Sequence, residues 1–177
     1  MKRFVFTLFV TIAVLISSCN DDEVTKQPEF RKRRIDDTLL KVNRFLPERD
    51  SELIRSYVDR HGLNMQVSDE GLWYSITSET KGRKIKEGDI VSYDYRIELL
   101  DGTLCYSSDS SGTAQIKIGK SGKETGLEKG LLMMRKGEKA KFILPPHLGY
   151  GLLGDMKRIP ARSVLVYDIE VKDVTDF

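Results

Sequence analysis

The sequence has few of the residues that build disulfide frameworks and metal centres. It contains two cysteines, Cys19 and Cys105, and two histidines, His61 and His147. The cysteines lack CxxC spacing, and the histidines lie far apart without an HExxH motif, so the pattern predicts neither a disulfide framework nor a metal site. We interpret both histidines as structural or surface residues and expect no cofactor.

An excess of one charge is also missing. The chain carries 29 lysines and arginines against 27 aspartates and glutamates, and loss of Lys2 and Arg3 with an N-terminal signal leaves 27 of each sign. This balance leaves no excess of positive charge that would predict nucleic-acid binding, and no polybasic patch that would predict binding to a membrane surface. We therefore expect no nucleic-acid partner, and membrane attachment would come from a lipid alone.

The N-terminus has the layout of a secretory signal. Lys2 and Arg3 precede an apolar stretch from Phe4 to Ile16, which is short for a permanent membrane-spanning helix. The following I-S-S-C resembles a bacterial lipobox, which implies cleavage before Cys19 and lipidation of its thiol. We predict a signal peptide over residues 1–18; the alternative is an ordinary signal peptide that ends in a chance cysteine.

Residues 19–29 follow the signal as a polar segment without apolar periodicity. This composition predicts a flexible tether that begins at the lipidated Cys19. The acidic N-D-D-E directly after the cysteine resembles tags that send some bacterial lipoproteins to the cell surface. The implied location is the Gram-negative cell envelope, with the chain anchored to the outer membrane on its periplasmic face or at the cell surface.

Two amphipathic helices are predicted after the tether. Apolar residues recur at intervals of three and four from Phe30 to about Leu46, and Pro47 interrupts the pattern. A second helix is predicted to start near Glu48 and to stop at Gly62. The pair forms either a dimerisation or client-holding arm, which would make a homodimer, or a lid packed on its own domain.

The chain beyond this helical extension, which we assign to residues 30–70, follows β patterns separated by glycine-containing loops. Alternation is clearest over residues 90–100, and Asp101-Gly102 predicts a hairpin turn. Residues 108–113 are strongly polar and are predicted to form a loop. Residues 124–134 carry the one helical pattern of this half, and Gly126 and Gly130 weaken it, so packing must hold the helix.

These patterns predict an α+β fold. We expect an antiparallel β-sheet of four to six strands wrapped around one short α-helix, preceded by the two N-terminal helices. The sheet and its helix would form one domain over residues 71–177.

The last half of the chain carries motifs in a fixed order. They are D-G at 101–102, G-L-E-K-G at 126–130, G-E-K-A-K-F at 137–142, G-Y-G at 149–151 and I-P-A-R-S-V-L-V-Y at 159–167. This order resembles the FKBP-type peptidyl-prolyl cis–trans isomerases over about half of the chain. The resemblance implies that the clients are proline-containing polypeptides.

The implied reaction is rotation about an X–Pro peptide bond. Amide resonance sets its barrier at about 18–20 kcal/mol. No nucleophile, metal or proton transfer is needed, because an apolar pocket that excludes water favours the twisted amide, which has less charge separation than the planar one. Such a site requires aromatic and aliphatic walls with one or two hydrogen-bond donors for the carbonyl.

The resemblance implies ten pocket residues. They are Tyr95, Cys105, Tyr106, Ala114, Lys123, Glu124, Leu127, Tyr150, Ile159 and Tyr167. Four of these are implied for catalysis: Tyr150 through its hydroxyl, Glu124 through its backbone N–H, and Tyr95 and Ile159 as pocket walls.

Several positions depart from the family pattern. Cys105 replaces a pocket phenylalanine and Tyr106 replaces an aspartate that organises nearby hydrogen bonds, while Ala114 falls where another aromatic residue usually lies. Lys123 and Glu124 replace valine and isoleucine. Cys105 is either a reactive thiol or a small buried hydrophobic residue.

Two functions remain open at this point. The first is an isomerase that assists the folding of exported proteins in the bacterial envelope. The second is an FKBP-fold binding or chaperone module with weak or no isomerase activity, which the departures favour.

Overall fold

The structure, a computed structural model, describes residues 46–176. The predicted signal peptide, Cys19, the tether and nearly all of the first predicted helix lie outside the described residues. Between residues 46 and 176, no helix combines the length and apolar character that a membrane span requires.

The described residues form seven strands and three α-helices. Helix α1 covers residues 46–60. It is followed by β1 (Gln66–Val67), β2 (Trp73–Ser78), β3 (Ile90–Leu99), β4 (Leu104–Ser107), α2 (Ser108–Ser111), β5 (Ala114–Lys117), α3 (Thr125–Met133), β6 (Lys139–Leu144), a 3₁₀ helix (Pro146–Leu148) and β7 (Leu165–Thr175).

All strand pairs of the sheet are antiparallel. The order is β1-β2-β6-β7-β3-β4, and β5 pairs with β3 beside this path. Strand β3 pairs with β7 along its whole length, from Ile90 opposite Thr175 to Leu99 opposite Leu165. The predicted antiparallel sheet around a short helix is confirmed, with seven strands where we expected four to six.

Alternation along the central strands separates two cores on opposite faces of the sheet. On β6, Phe142 and Leu144 belong to the larger core, which also holds Leu127 and Leu131 of α3. Ile143, between them, belongs to the smaller core on the other face. The sheet therefore buries apolar side chains on both sides.

Two glycines let α3 lie close to β6. A Cβ atom at Gly130 would lie 2.5 Å from Cε2 of Phe142, and one at Gly126 would lie 2.8 Å from Cγ of Leu144. The residues that weaken α3 as an isolated helix therefore allow the packing that holds it in place.

Helix α1 packs on the face of the sheet opposite to α3. Its residues Ile54, Tyr57 and Val58 are buried in one cluster with residues of β6 and β7. Arg162 Nη2 lies 3.1 Å from Oδ2 of Asp50 in α1 and forms an ion pair with it. The second predicted helix thus packs on its own domain and does not cover the face that carries α3.

Three local predictions differ from the structure. Pro47 is already helical, although we expected the helix to start near Glu48; the hydroxyl of Ser51 donates to the Pro47 carbonyl at 2.9 Å. Residues Gln66–Val67, within the predicted helical extension, pair with β2. A pairing of two residues is too short to leave a periodic signal in the sequence.

Residues 108–111 form the short helix α2 instead of the predicted loop. The side chain of Ser107 accepts a hydrogen bond from the Asp109 N–H at 2.9 Å, and the hydroxyls of Ser110 and Ser111 donate to the Ser107 carbonyl at 3.0 and 2.8 Å. Small polar side chains thus cap and close a single helical turn, which polarity alone does not distinguish from a loop.

Candidate functional site

A cavity of about 340 Å³ opens between β3, the N-terminus of α3 and the chain that follows the 3₁₀ helix. We call that last segment, residues 149–164, the pocket loop. The residues that line the cavity are Tyr93, Tyr95, Ile97, Tyr106, Ala114, Lys123, Glu124, Leu127, Tyr150, Asp155, Lys157 and Tyr167.

The cavity wall is mainly tyrosine. Five of the seven tyrosines of the chain line it. The rings of Tyr93 and Tyr95 on β3 lie 5.9 Å apart between centroids, with an interplanar angle of 52°. Leu127 and Tyr167 are 2% and 1% exposed, so they close the inner end of the cavity. The wall is therefore aromatic but carries hydroxyl groups, which suits a ligand that is both apolar and polar.

The structure brings eight of the ten pocket residues implied by sequence to this cavity. They are Tyr95, Tyr106, Ala114, Lys123, Glu124, Leu127, Tyr150 and Tyr167. The other two, Cys105 and Ile159, are buried in the larger core and are not among the lining residues of this cavity.

Cys105 is fully buried on β4. Its Sγ lies 3.6 Å from the carbonyl oxygen of Arg158 and 3.8 Å from that of Thr103. Burial, reinforced by the charge of Asp155, raises the pKa of the thiol. A buried thiol with a raised pKa is a poor nucleophile, so the structure favours the small buried hydrophobic residue over the reactive thiol.

Four lining residues were missed by the sequence analysis: Tyr93, Ile97, Asp155 and Lys157. Tyr93 and Ile97 lie two residues before and after Tyr95, so the period of two along β3 places all three on the same face. The family resemblance did not imply Tyr93 and Ile97 as pocket residues. Nothing in the sequence around Asp155 and Lys157 marks them, because both lie in the irregular pocket loop.

The first and last residues of helix α2 both form hydrogen bonds with Tyr95. The Tyr95 N–H donates to the hydroxyl oxygen of Ser108 at 3.2 Å. The hydroxyl of Tyr95 shares a hydrogen bond of 2.8 Å with that of Ser111. The polar turn that follows β4 therefore orients an aromatic wall of the cavity.

A second set of contacts attaches the pocket loop to β4. The hydroxyl of Tyr106 donates a hydrogen bond to Oδ2 of Asp155, while Oδ1 of Asp155 accepts from the N–H groups of Lys157 and Ile159, each at 2.8 Å. Arg158 Nη1 donates to the Cys105 carbonyl at 3.0 Å. We call Tyr106, Asp155 and Arg158 together the β4–loop link.

Glu124 brings a carboxylate to the cavity. It is the N-cap residue of α3 and is 8% exposed. After burial itself, its proximity is the main cause that raises the pKa of Tyr150 and of Tyr167. Both hydroxyls therefore stay protonated at physiological pH and can act only as neutral groups.

The hydroxyl of Tyr167 is buried without a hydrogen-bond partner among the described residues. Tyr150, in contrast, lines the open cavity, and its hydroxyl interacts with Glu124, which lines the same cavity. Tyr150 can therefore donate to a carbonyl group that enters, while Tyr167 and Leu127 contribute an apolar floor. Within residues 46–176, no group of three or more histidine, cysteine, aspartate or glutamate side chains is placed to hold a metal ion.

Comparison with protein families matches the model of the FKBP-type peptidyl-prolyl cis-trans isomerases over residues 81–172. Human peptidyl-prolyl cis-trans isomerase FKBP9 is 43% identical over 90 residues, which are 50% of this chain and 16% of that protein. The Escherichia coli K12 FKBP-type isomerase FkpA is 34% identical over 110 residues, 62% of this chain and 40% of FkpA.

A probable FKBP-type isomerase of Haemophilus influenzae is 36% identical over 114 residues, which are 64% of this chain and 46% of that protein. The chain thus spans less than half the length of these curated relatives.

Solved structures agree with the fold. The crystal structure of E. coli FkpA matches with a TM-score of 0.64 at 25% identity, over 99% of this chain and 83% of that one. The structure of AtFKBP13 matches with a TM-score of 0.60 at 27% identity, over 63% of this chain and 99% of that one. The family model covers more than half of the sequence and includes all twelve residues that line the cavity. The chain therefore belongs to the FKBP-type peptidyl-prolyl cis-trans isomerase family.

Proposed function

We propose that this chain is a peptidyl-prolyl cis–trans isomerase that acts on proline-containing polypeptides and assists the folding of exported proteins. The observation that carries the proposal is the tyrosine-lined cavity, whose lining combines Tyr150 with the buried Leu127 and Tyr167. Its volume of about 340 Å³ suits a prolyl ring together with parts of the neighbouring residues.

The mechanism follows from this wall. A prolyl ring packed on Leu127 and Tyr167 loses contact with water, which favours a twisted amide over the more dipolar planar one. The Tyr150 hydroxyl donates to a carbonyl of the client and holds it while the C–N bond rotates. Burial raises the pKa of Tyr150, so this donor keeps its proton at physiological pH.

The second candidate function is a binding or chaperone module with little isomerase activity. Glu124 favours it, because a carboxylate that is 8% exposed sits where an apolar wall is expected. Entry of a prolyl ring must remove water from this charge, which costs free energy. The same cavity could hold a client segment without lowering the rotation barrier.

A protease-free assay separates the two functions. Exchange between the cis and trans forms of a short proline peptide is measured with and without micromolar protein. The isomerase proposal expects acceleration, and Tyr150→Phe should reduce kcat/KM by about fivefold, the loss that accompanies one hydrogen bond. No acceleration by the unaltered protein would leave the binding module as the function.

Tyr74→Phe is the matched control for this assay. Tyr74 lies on β2 outside the cavity, and its hydroxyl donates to Oε1 of Gln66 at 2.8 Å. The control loses the same hydroxyl group at a distant place, so its kcat/KM should equal that of the unaltered protein. An equal loss in both variants would trace the effect to general destabilisation.

We propose further that the protein works in the bacterial envelope, anchored by a lipid on Cys19. This rests on the basic start, the apolar stretch and the I-S-S-C of the N-terminus. Cys19→Ala should move the protein from the membrane fraction to the soluble fraction and out of the detergent phase. Unchanged partitioning would contradict the lipid anchor without affecting the isomerase proposal.

A further inference from the structure

The pocket loop exposes three large apolar side chains beside the cavity. Leu152, Leu153 and Met156 are 69%, 76% and 88% exposed. They lie between residues of the same loop that line the cavity: Leu152 and Leu153 between Tyr150 and Asp155, and Met156 between Asp155 and Lys157. We call these three exposed residues the apolar tip.

The loop is built in a way that keeps the tip outside. Gly154, with φ of +69°, lies between the two halves of the tip, and a Cβ atom there would lie 2.2 Å from the carbonyl oxygen of Ile159. The Asp155 N–H donates to that same carbonyl at 3.1 Å. The loop therefore closes on itself below the tip, and its apolar side chains cannot fold back into this space.

Met156 adds a backbone conformation that side chains rarely adopt. Its φ is +56°, in the left-handed region that favours glycine or asparagine. A strained backbone that displays a methionine to solvent costs stability twice, through the backbone and through the exposed apolar surface. Such features are typical of functional surfaces.

We infer that the apolar tip binds apolar side chains of an unfolded polypeptide whose proline occupies the cavity. This inference rests on the proposed function and names its substrate class: segments with apolar residues near the proline. A client longer than a few residues must leave the cavity across its rim, and each extended residue advances about 3.3 Å. Asp155 and Lys157, on either side of Met156, line the cavity, so client side chains a few residues from the proline pass beside the tip.

The chemistry of the tip suits many sequences. Leucine and methionine are flexible, and methionine is unbranched and polarisable, so both adapt to different apolar partners. The tip makes no hydrogen bonds to a client through its side chains. Selection by the tip is therefore for apolar character and not for a fixed sequence.

The test compares a short substrate with a long one. The variant Leu152→Gln/Leu153→Gln/Met156→Asn removes the apolar tip and places at position 156 a residue that tolerates positive φ. Its kcat/KM is measured on a proline tetrapeptide and on the proline-limited refolding of a full-length protein. We expect the loss on the refolding protein to exceed the loss on the tetrapeptide by about tenfold. Equal losses, or none, would overturn the inference.

A binding measurement keeps this test separate from catalysis. Fluorescence anisotropy gives the Kd for a permanently unfolded, reduced and carboxymethylated protein. We expect the tip variant to bind it about tenfold more weakly, even if the unaltered protein accelerates neither proline substrate. That combination would reject the isomerase proposal and retain the tip as a polypeptide-binding surface, whereas an unchanged Kd would reject the tip.

Leu53→Gln/Val67→Gln is the matched control. Leu53 and Val67 are 46% and 51% exposed and lie on α1 and β1, away from the cavity. This variant should behave like the unaltered protein in both measurements. If it loses as much affinity as the tip variant, binding follows general surface hydrophobicity. Two other outcomes would overturn the inference. If the unaltered protein is a dimer and only the tip variant is a monomer, the tip binds a second copy of the chain. If only the tip variant fails to bind lipid vesicles, the tip binds a lipid surface.

Discussion

The hydroxyl of Tyr106 on β4 donates a hydrogen bond to the carboxylate of Asp155 in the pocket loop. By family resemblance, an aspartate is expected at position 106. In this chain the aromatic residue occupies the strand and the carboxylate comes from the loop. Arg158 completes the arrangement, since its guanidinium lies 5.6 Å from the centroid of the Tyr106 ring. The link joins the wall that carries Tyr106 to the loop that carries Tyr150.

The first prediction concerns the coupling of these two residues. Tyr106→Phe and Asp155→Asn should each lower the free energy of unfolding by about 1 kcal/mol, as for one partly exposed hydrogen bond. In a double-mutant cycle by urea denaturation, the double variant should lose less than the sum of the single losses, because both changes remove one interaction. Additive losses would show that Tyr106 and Asp155 act independently.

The second prediction concerns acid. Although burial acts to raise it, hydrogen bonds from Tyr106 and from the backbone of Ile159 and Lys157 hold the pKa of Asp155 below its usual range. A carboxylate whose pKa is lower in the folded state contributes stability above its unfolded pKa of about 3.9, and this contribution is lost as the pH falls through the folded value.

Urea denaturation of the unaltered protein and of Asp155→Asn checks this sign. The stability difference between them should be constant above about pH 5 and should shrink as the pH falls below about 4. A difference that stays constant into acid would mean that the charge of Asp155 does not stabilise the β4–loop link.

The third prediction concerns the unpaired hydroxyl of Tyr167. This group is buried without a hydrogen-bond partner of normal geometry among the described residues, although the Glu124 carboxylate lies near it. It therefore lost hydration on folding without a full hydrogen bond in return. Tyr167→Phe should raise the free energy of unfolding by about 1 kcal/mol, measured by urea denaturation. Destabilisation would indicate that the hydroxyl has a bound water or a partner in solution.

These contacts show which parts of the molecule the sequence could predict. Strand alternation placed Tyr95 on β3, and the helical pattern with its glycines placed Leu127 on α3. Both signals are local. The β4–loop link is not local, because Tyr106 and Asp155 are separated by 49 positions. No periodicity or motif in the pocket loop indicates that Asp155, the one aspartate of this loop, reaches the strand.

Ile159 shows a limit of the family resemblance. The motif places it in the pocket, but here it is buried in the larger core, while Asp155 and Lys157 of the same loop line the cavity. Side-chain direction in an irregular loop depends on the hydrogen bonds of that loop, such as the one from the Ile159 N–H to Oδ1 of Asp155. Its binding role therefore stays a prediction.

The fourth prediction concerns the approach of α3 to β6. Alanine at position 130 would favour an isolated helix by about 1 kcal/mol, but its Cβ would lie 2.5 Å from Cε2 of Phe142. The overlap should outweigh the gain and lower the free energy of unfolding by about 1–3 kcal/mol. Lys129→Ala, on the same helix but partly exposed, serves as control and should change stability by less. A stabilised Gly130→Ala would mean that Phe142 moves aside without cost.

The fifth prediction concerns the charge at Glu124. The carboxylate lies in the cavity wall and attracts the proton of the Tyr150 hydroxyl. It therefore competes with the client carbonyl for this hydrogen-bond donor. It must also lose water when a prolyl ring enters. Glu124→Ile should therefore lower KM for a proline tetrapeptide by about tenfold, and Glu124→Gln, which removes only the charge, should give part of this gain.

Lys123→Val tests whether the expected decrease in KM is specific to the replacement of Glu124. Lys123 is the exposed neighbour that also lines the cavity, so its replacement adds apolar surface without removing the buried charge. We expect it to change KM less than Glu124→Ile does. If both glutamate variants keep the KM of the unaltered protein, the carboxylate does not oppose substrate binding. If they lose activity, Glu124 contributes to client recognition, because a charge retained in an apolar cavity then has a partner on the client.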